Sequence, residues 1–296
     1  MPAGPDDQAA VFEAARPMLL GLAYRLLGSR ADAEDAVQDT FLKWQAGERD
    51  GIASPAAWLA TVCTRHCLDM LRAADRSRVD YVGPWLPEPV HAVAPDDPGT
   101  DEAMAASLGT AFLLALQRLT PRERAAYLLR EIFDRPYPEV AATLGMQEAA
   151  CRQLVARGRG HVERARVRHV TPAPLQRRLL AAFRDAVESG STAVLARLLA
   201  DDVRLTADGG GRATATRRVM RGPEVLRFIE AGLHVWWADA HLEEVALNGG
   251  PGLLVRHAGA VTAAVSFGFA EDGAVADVFV MRNPDKLARL EPAVLR

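Results

Sequence analysis

The sequence predicts a multidomain chain in which two small all-α domains precede an α+β domain. Three observations carry that reading. Apolar residues recur at helical spacing from Val11 to Leu71 and again from about residue 102 to 162; a stretch rich in Pro, Gly and Asp, from Asp80 to Asp101, separates the two; and beyond Thr171-Pro172 further helices give way to strand-like runs. With 296 residues, 49% hydrophobic and 25% charged, the chain has core enough for two or three domains. The expected divisions are 8–78 and 105–169 for the helical domains, 79–104 for the linker and 172–290 for the α+β domain.

Val11, Phe12, Ala15, Met18, Leu19, Leu22, Ala23, Leu26 and Leu27 mark a first helix, ended by Gly28. The acidic segment AEDAVQDTFLKW, Ala33 to Trp44, forms the second. Its apolar stripe is Ala33, Ala36, Val37, Phe41 and Trp44, while Asp35, Gln38, Asp39 and Leu42 share another face. Ser29 stands where a cap belongs, and early acids suit the positive end of the helix dipole. Taken alone, that face reads equally as solvated or as a docking surface for a protein. A third helix starts at Ser54-Pro55, a cap and a first-turn proline, and runs through Trp58, Leu59, Val62, Leu68 and Leu71 to about Arg72. The spacing of Trp58 with Val62 favours the core over a base-stacking role.

After the linker, a helix is expected from about Glu102 to Leu119, and Thr120-Pro121-Arg122-Glu123 supplies cap, first-turn proline and capping-box acid for the next. Tyr137-Pro138-Glu139 opens a short helix ended by Gly145, and Gln147 to Val162 forms another. Short helix, glycine turn and basic helix make a helix-turn-helix, whose second helix enters the major groove. Glu148, Arg152, Gln153 and Arg157 are its exposed candidates; one bidentate base contact is worth about 1–3 kcal/mol of discrimination. A basic solvated helix ending a bundle is the plainer alternative. Gly158 and Gly160 each cost about 1 kcal/mol relative to Ala, so fraying is expected near Arg159.

In the last third, helices at Pro174 to Glu188 and Ser191 to Leu199 lead into Val203 to Ala207, and Gly209, Gly210 and Gly211 then break the pattern. A helix from Pro223 to Leu233 precedes runs at Leu242 to Leu247, Leu253 to His257, Val261 to Phe269 and Ala274 to Met281, which read as an antiparallel meander. DGGGR, Asp208 to Arg212, lacks both GK[ST] and a following helix, so it reads as a tight strand connection with Arg212 available to a partner, not as a phosphate loop. Asn283-Pro284 starts a short closing helix with Asp285 near its beginning. In the linker, WLPEP pairs Trp85 and Leu86 with stiffening prolines, Pro87 first, and reads as a segment that docks on another domain.

Net charge is only -3, but its distribution is uneven. Ten Arg oppose six acids between Pro121 and His169, whereas nine acids oppose five bases between Asp6 and Asp50. One region suits a polyanion and the other does not. Cys63, Cys67 and Cys151 form no disulfide framework, and Cys63, His66 and Cys67 lack a fourth ligand nearby, so neither metal nor cofactor is expected. No signal peptide and no run of about 18 apolar residues is present, which points to a cytoplasmic protein without membrane partners.

On these residues the chain resembles an extracytoplasmic-function (ECF) sigma factor, the small type that keeps the second and fourth sigma regions. AEDAVQDTFLKW is similar to the region-two helix that docks on core RNA polymerase, which implies that role for Asp35, Gln38, Asp39 and Leu42. SPAAWLATVCTRHCLDMLR is similar to the helix that opens and reads the minus-ten element of promoter DNA, implying Arg65, Asp69, Arg72 and Arg76. Asp69 equally suits pairing with Arg65 or Arg72. The segments LTPRERAAYLLREIF and YPEVAATLGMQEAACRQLVARGRGHV resemble region four, assigning Glu148, Arg152, Gln153 and Arg157 to the minus-thirty-five element. Gln147 departs from the family's usual serine cap.

The remainder resembles a subgroup with a SnoaL-like, NTF2-type C-terminal domain, through WLPEP, DGGGR and NPDKL. The likeness implies that the linker contacts that domain, with Trp85, Leu86, Pro87, Asp208, Arg212, Asn283, Asp285 and Lys286 as the interdomain residues. It also implies a cone with a pocket, able to hold an unidentified small ligand. Enzymes exist among such domains, which makes His234, Trp236, Trp237, His241 and His257 candidates for pocket chemistry, yet no carboxylate–histidine spacing argues for catalysis. The expected function is therefore that of a promoter-specificity subunit of RNA polymerase regulated by its own C-terminal domain. The rivals are a DNA-binding regulator with a ligand-sensing domain and no polymerase contact, and an NTF2-type enzyme carrying a DNA-binding appendage.

Overall fold

A computed structural model describes residues 5–47, 52–77, 81–91, 107–164 and 173–290. The chain forms two compact units: Met1–Val79 with Leu116–Glu163, and Asp80–Ala115 with Arg164–Arg296. The expected helix start at Glu102 and the boundaries at 78–79, 104–105, 169 and 172 lie outside the described residues.

In the first unit, α1 (Pro5–Leu27), α2 (Arg30–Ala46) and α3 (Pro55–Ser77) pack on one another. Leu19, Leu22 and Leu26 of α1, Ala36 of α2, and Leu59, Cys63 and Cys67 of α3 are wholly buried, which accounts for the periodicity. Each such leucine contributes about 1.5–3 kcal/mol by burial. Phe41 stacks on Phe12 with ring centroids 4.6 Å apart, and half-buried Trp58 lies 5.5 Å from Trp44. α3 runs one turn beyond the expected Arg72. Cys63 and Cys67 hydrogen-bond one another; that bond holds the Cys63 thiol below its ordinary value and, with burial, pushes Cys67 up.

The helix α4 (Thr110–Gln117) is shorter than the expected 102–119, because residues 107–109 form a turn ahead of it. In α5 (Pro121–Tyr127) the capping box is formed: the Thr120 hydroxyl accepts from Glu123 N at 3.3 Å, and Glu123 Oε2 accepts from Thr120 N at 3.1 Å. Burial alone would raise the Glu123 carboxyl, but the bonds from Arg157 and Thr120 outweigh it and hold the group below the ordinary carboxylate range. A depressed folded-state value contributes stability that is complete above the unfolded value and lost as pH falls through the folded one. Glu123→Gln should therefore destabilise the protein by about 1 kcal/mol at neutral pH. In urea unfolding as a function of pH, the gap between variant and wild type should close below roughly pH 4.

A π-helical turn, Leu128–Ile132, follows α5, and α6 (Tyr137–Leu144) ends at Gly145 in the left-handed conformation, φ 62°. α7 (Glu148–Arg164) corrects the expected fraying, for it passes through Gly158 and Gly160 unbroken. A Cβ on Gly158 would lie 3.1 Å from Tyr127 Cβ, so the glycine lets α7 approach α5, and that packing offsets its low helix propensity.

The second unit is built on one sheet with strand order β2-β1-β6-β5-β4-β3. Helices α8 (Ala173–Glu188) and α9 (Ala193–Leu198) precede β1 (Leu199–Asp208) and the two-residue β2 (Met220–Arg221); α10 (Pro223–Trp236) follows. The meander β3 (His241–Leu247), β4 (Gly250–His257), β5 (Ala260–Phe269) and β6 (Val275–Met281) is antiparallel as expected. The exception is β1, which lies parallel to β6 in the register Arg204↔Asp277 to Asp208↔Met281. Arg204 and Asp277 are opposed there and joined by bonds of 2.7 and 2.6 Å.

The sheet is covered on both faces. Leu205, Ala207, Val278 and Val280 belong to the larger apolar cluster with α8, α9 and α10. Phe279, Met281, Leu254 and Ala264 belong to a second cluster with Leu86 of the linker, Leu287 of α11 (Pro284–Leu287) and Leu290. The linker also pairs with the β3–β4 turn, where Val90 O accepts from Asn248 N at 2.9 Å.

Candidate functional site

On α2 the packing of Ala33, Ala36, Val37 and Trp44 leaves Asp35, Gln38, Asp39 and Leu42 on the solvent face, with Leu42 52% exposed. The Ser29 hydroxyl caps the helix by accepting from Asp32 N at 3.2 Å. Asp39 accepts from His66 Nε2 at 3.0 Å, which fixes one carboxylate beside α3. The face combines fixed negative charge with an apolar side chain, a composition suited to a protein partner.

On α3, Arg65 donates to Thr143 O at 2.8 Å and Ala142 O at 2.9 Å, and the Thr61 and Thr143 hydroxyls meet at 2.9 Å. Arg65 thereby occupies the carbonyls that end α6, the negative end of that helix. Asp69 pairs with Arg72 at 2.7 Å, so of its two possible partners it takes Arg72. The side chain of Arg76 lies outside the described residues.

On α7 three arginines are tied to acids of the same unit. Arg152 bonds Glu148 at 3.1 Å and lies over the Tyr137 ring at 4.2 Å; Arg157 bonds Glu123 at 2.8 Å, and Arg159 bonds Glu131 at 2.8 Å. Gln153 is exposed. Sequence reasoning missed Arg124, which is buried and donates to Leu26 O at the end of α1, to Leu116 O at 3.0 Å and to Gln117 Oε1 at 3.1 Å. Its place inside a capping motif resembles that of a surface residue.

In the second unit the three short motifs converge on Asp208, which is fully buried. Its carboxylate accepts from the Tyr81 hydroxyl at 2.6 Å, Leu86 N at 2.8 Å, Gly210 N at 3.0 Å and Lys286 Nζ at 2.7 Å. Lys286 also donates to Leu86 O at 2.7 Å and sits 4.5 Å from the Trp85 ring centroid and 5.0 Å from that of Tyr81. Asn283 donates to the Tyr81 oxygen at 3.1 Å and caps α11 by accepting from Asp285 N at 3.1 Å. Burial pushes the Tyr81 phenol up, and its bond to Asp208 adds to the shift. Gly210 has φ 57°, and a Cβ there would strike Asn283 Nδ2 at 2.2 Å. DGGGR is thus a close-approach turn. Leu86 and Pro87 are buried by the same docking. Arg212, expected to be available to a partner, is taken by Asp285 within the unit, at 2.7 and 2.8 Å.

A cavity of about 300 Å³ lies on the opposite face of the sheet, with Phe183, Phe228, Trp236, Trp237, Thr216 and Arg282 in its wall. The histidines proposed from sequence do not line it: His234, His241 and His257 are exposed. Among the described residues no group of three or more His, Cys, Asp or Glu is placed to hold a metal ion.

Comparison with known proteins gives this arrangement a family. Residues 11–77 match Sigma-70 region 2, and residues 110–162 match Sigma-70, region 4. The ECF RNA polymerase sigma factor SigJ of Mycobacterium tuberculosis is 39% identical over 225 residues, spanning 75% of this chain and 72% of SigJ. The chain belongs to the ECF RNA polymerase sigma factors. This ECF sigma factor is also 31% identical to the probable sigma factor SigI of the same organism, over 75% of its own length and 77% of SigI. The crystal structure of SigJ superposes with a TM-score of 0.72 at 33% identity, covering 95% of the sigma factor and 98% of SigJ. The helical region-two and region-four segments followed by a helix-plus-sheet domain are therefore shared architecture. As a member of the family, the sigma factor directs core RNA polymerase to promoters, a binding role and not a catalytic one. Among its described residues, no helix is long and apolar enough to cross a membrane.

Proposed function

We propose that this sigma factor is autoregulated, with its C-terminal domain holding the linker and thereby limiting when the two promoter-reading regions separate. The observation that carries the reading is the Asp208 centre, which fastens Tyr81, Leu86 and Lys286 to one buried carboxylate. Residues 80–115 run within the C-terminal unit, while the segments they join, ending at Val79 and resuming at Leu116, lie in the other. A linker fastened over residues 81–91 bounds how far those segments can part.

The functional divisions proposed are 8–78 for region two, 79–104 for the linker, 105–169 for region four and 172–290 for the regulatory domain. Asp35, Gln38, Asp39 and Leu42 are the core-polymerase surface. Arg65, Asp69, Arg72 and Arg76 serve the minus-ten element, and Glu148, Arg152, Gln153 and Arg157 the minus-thirty-five element. Support comes from the internal engagement of these residues: Arg65 is spent on α6 carbonyls, and Arg157 on Glu123. That is the arrangement of a closed form, and a shift of a few kcal/mol toward separation is enough to change its population. The C-terminal domain acts as a regulator, with a small ligand in its pocket as the input, and the protein works in the cytoplasm.

Reconstituted transcription with core polymerase, comparing the full chain with residues 1–169, tests the regulation. Different activity or promoter choice is expected; identical transcription would sink it. The docking face is tested separately. Reversing Asp35 and Asp39 to Lys and changing Leu42 to Glu should weaken retention of core polymerase at least about tenfold, roughly 1.4 kcal/mol. Unchanged retention would place the contact elsewhere.

A further inference from the structure

The cavity in the C-terminal domain has a chemistry that narrows its ligand. It lies between α8, α10 and the face of β1 and β6 that carries Leu205, Ala207, Val278 and Val280, and opens partly to solvent. Four aromatic side chains stand in its wall: Phe228 packs tilted against Trp236 with centroids 4.5 Å apart, and Phe183 against Trp237 at 6.0 Å. Trp236 lies against Gly232, where a Cβ would meet the indole at 2.1 Å, and is itself 49% exposed. At about 300 Å³ the space is at the lower end of the range for small-molecule sites.

Against these apolar walls stand two donors without a protein partner. Arg282 and Thr216 stand in the cavity wall, and within them Arg282 Nε and Thr216 Oγ1 are buried with no hydrogen bond. Arg282 is held in place through Nη1, which donates to Thr214 O at 2.8 Å, while its buried Nε meets no acceptor. No carboxylate is among the lining residues, and burial lowers the affinity of the Arg282 guanidinium for its proton. A buried Nε–H donor beside an apolar space is costly unless an acceptor meets it, and an anionic acceptor meets it best. One cation sets the ligand's charge at one, and the aromatic lining favours a flat ring over a flexible chain.

We propose that this cavity binds a small aromatic monocarboxylate, with its ring among Phe183, Phe228, Trp236 and Trp237 and its carboxylate on Arg282 Nε and the Thr216 hydroxyl. The inference deepens the regulatory reading of this domain by naming the class of its input. Its test is binding alone, without polymerase or DNA, so it stands or falls separately from the transcription experiment.

The full-length sigma factor is titrated calorimetrically with 1-naphthoate and with the uncharged 1-naphthamide. Saturable one-to-one binding of the naphthoate is expected, at least about tenfold tighter than the amide, in line with a charge-assisted contact. Arg282→Gln should reduce naphthoate binding to the level of the amide and leave the amide unchanged. Thr216→Val should weaken the naphthoate by a smaller factor. The proposal is overturned by no saturable binding of naphthoate, by equal affinities for acid and amide, or by an Arg282→Gln protein that binds naphthoate as wild type does. If circular dichroism shows that Arg282→Gln does not fold, Thr216→Val decides, and undiminished naphthoate binding by that variant overturns the proposal.

Discussion

Asp208→Asn is expected to loosen the linker from the C-terminal domain at a cost of about 3–5 kcal/mol, the range for breaking a buried ion pair by removing one partner. The reason is what remains. Lys286, with its side chain 14% exposed, would keep its positive charge and lose the carboxylate at 2.7 Å, retaining among its contacts Leu86 O and the two aromatic faces. The reverse change, Lys286→Met, should cost less, because Asp208 would still accept from Tyr81, Leu86 and Gly210. Changing both, Asp208→Leu with Lys286→Met, should recover part of the loss, since both charges of the buried pair are then removed together. Amide exchange followed by mass spectrometry on the full chain reads these effects by segment. Residues 81–91 should exchange roughly a hundredfold to a few thousandfold faster in Asp208→Asn, with Lys286→Met between that variant and wild type. Equal exchange in all three would mean that the Asp208 centre does not hold the linker. Under the regulatory reading, Asp208→Asn should also move transcription by the full chain toward that of residues 1–169.

The second large effect is expected at Arg124. This buried side chain serves Leu26 O, Leu116 O and Gln117 Oε1, and so joins the end of α1 to the segment entering α5. Arg124→Met keeps most of the aliphatic length and removes every donor. Leu26 O then loses a charged partner and Leu116 O keeps its bond from Leu119 N but loses the stronger one, and a buried acceptor so deprived costs about 1–3 kcal/mol. The expected loss is about 3 kcal/mol, because relief of the guanidinium's own burial offsets part of the sum. Exchange should accelerate in α1 and α5 and stay unchanged in β3 to β6. A uniform acceleration through both units would show that Arg124 acts on global stability and not on this junction.

The helices were legible because a 3.6-residue period survives in residues such as Leu19, Leu22 and Leu26, each buried for the reason its spacing suggests. The α2 face was legible for the same reason, since naming the buried stripe names what is left outside. The Asp208 centre was half legible. Its three motifs stand out as short strings, but Tyr81 carries no local signal for a partner 127 residues away. The parallel pairing of β1 with β6 and the two-residue β2 are likewise non-local or too short for a period to register. Arg124 was hidden by its neighbours, because a residue inside a capping box looks solvent-facing. The histidines stood as candidates by residue type alone, and exposure, which decides against a pocket role, is set by packing. Gly158 shows tertiary contact overriding propensity, as its missing side chain admits Tyr127.

Along the ends of β1 and β6, side chains alternate between the two faces of the sheet. Ala207, Val280 and Arg282 belong to the cavity, while Asp208, Met281 and Asn283 belong to the linker side. Arg282 N donates to Asp208 O at 2.7 Å, so the cavity's cation and the linker's anion are joined through a single backbone hydrogen bond. The two strands are a party wall: a tilt that draws Arg282 inward on one side must carry Asp208 and Asn283 with it on the other. Inserting or deleting one residue near Val280 would exchange the tenants of both sides at once, so this stretch should tolerate substitution more readily than any change in its length.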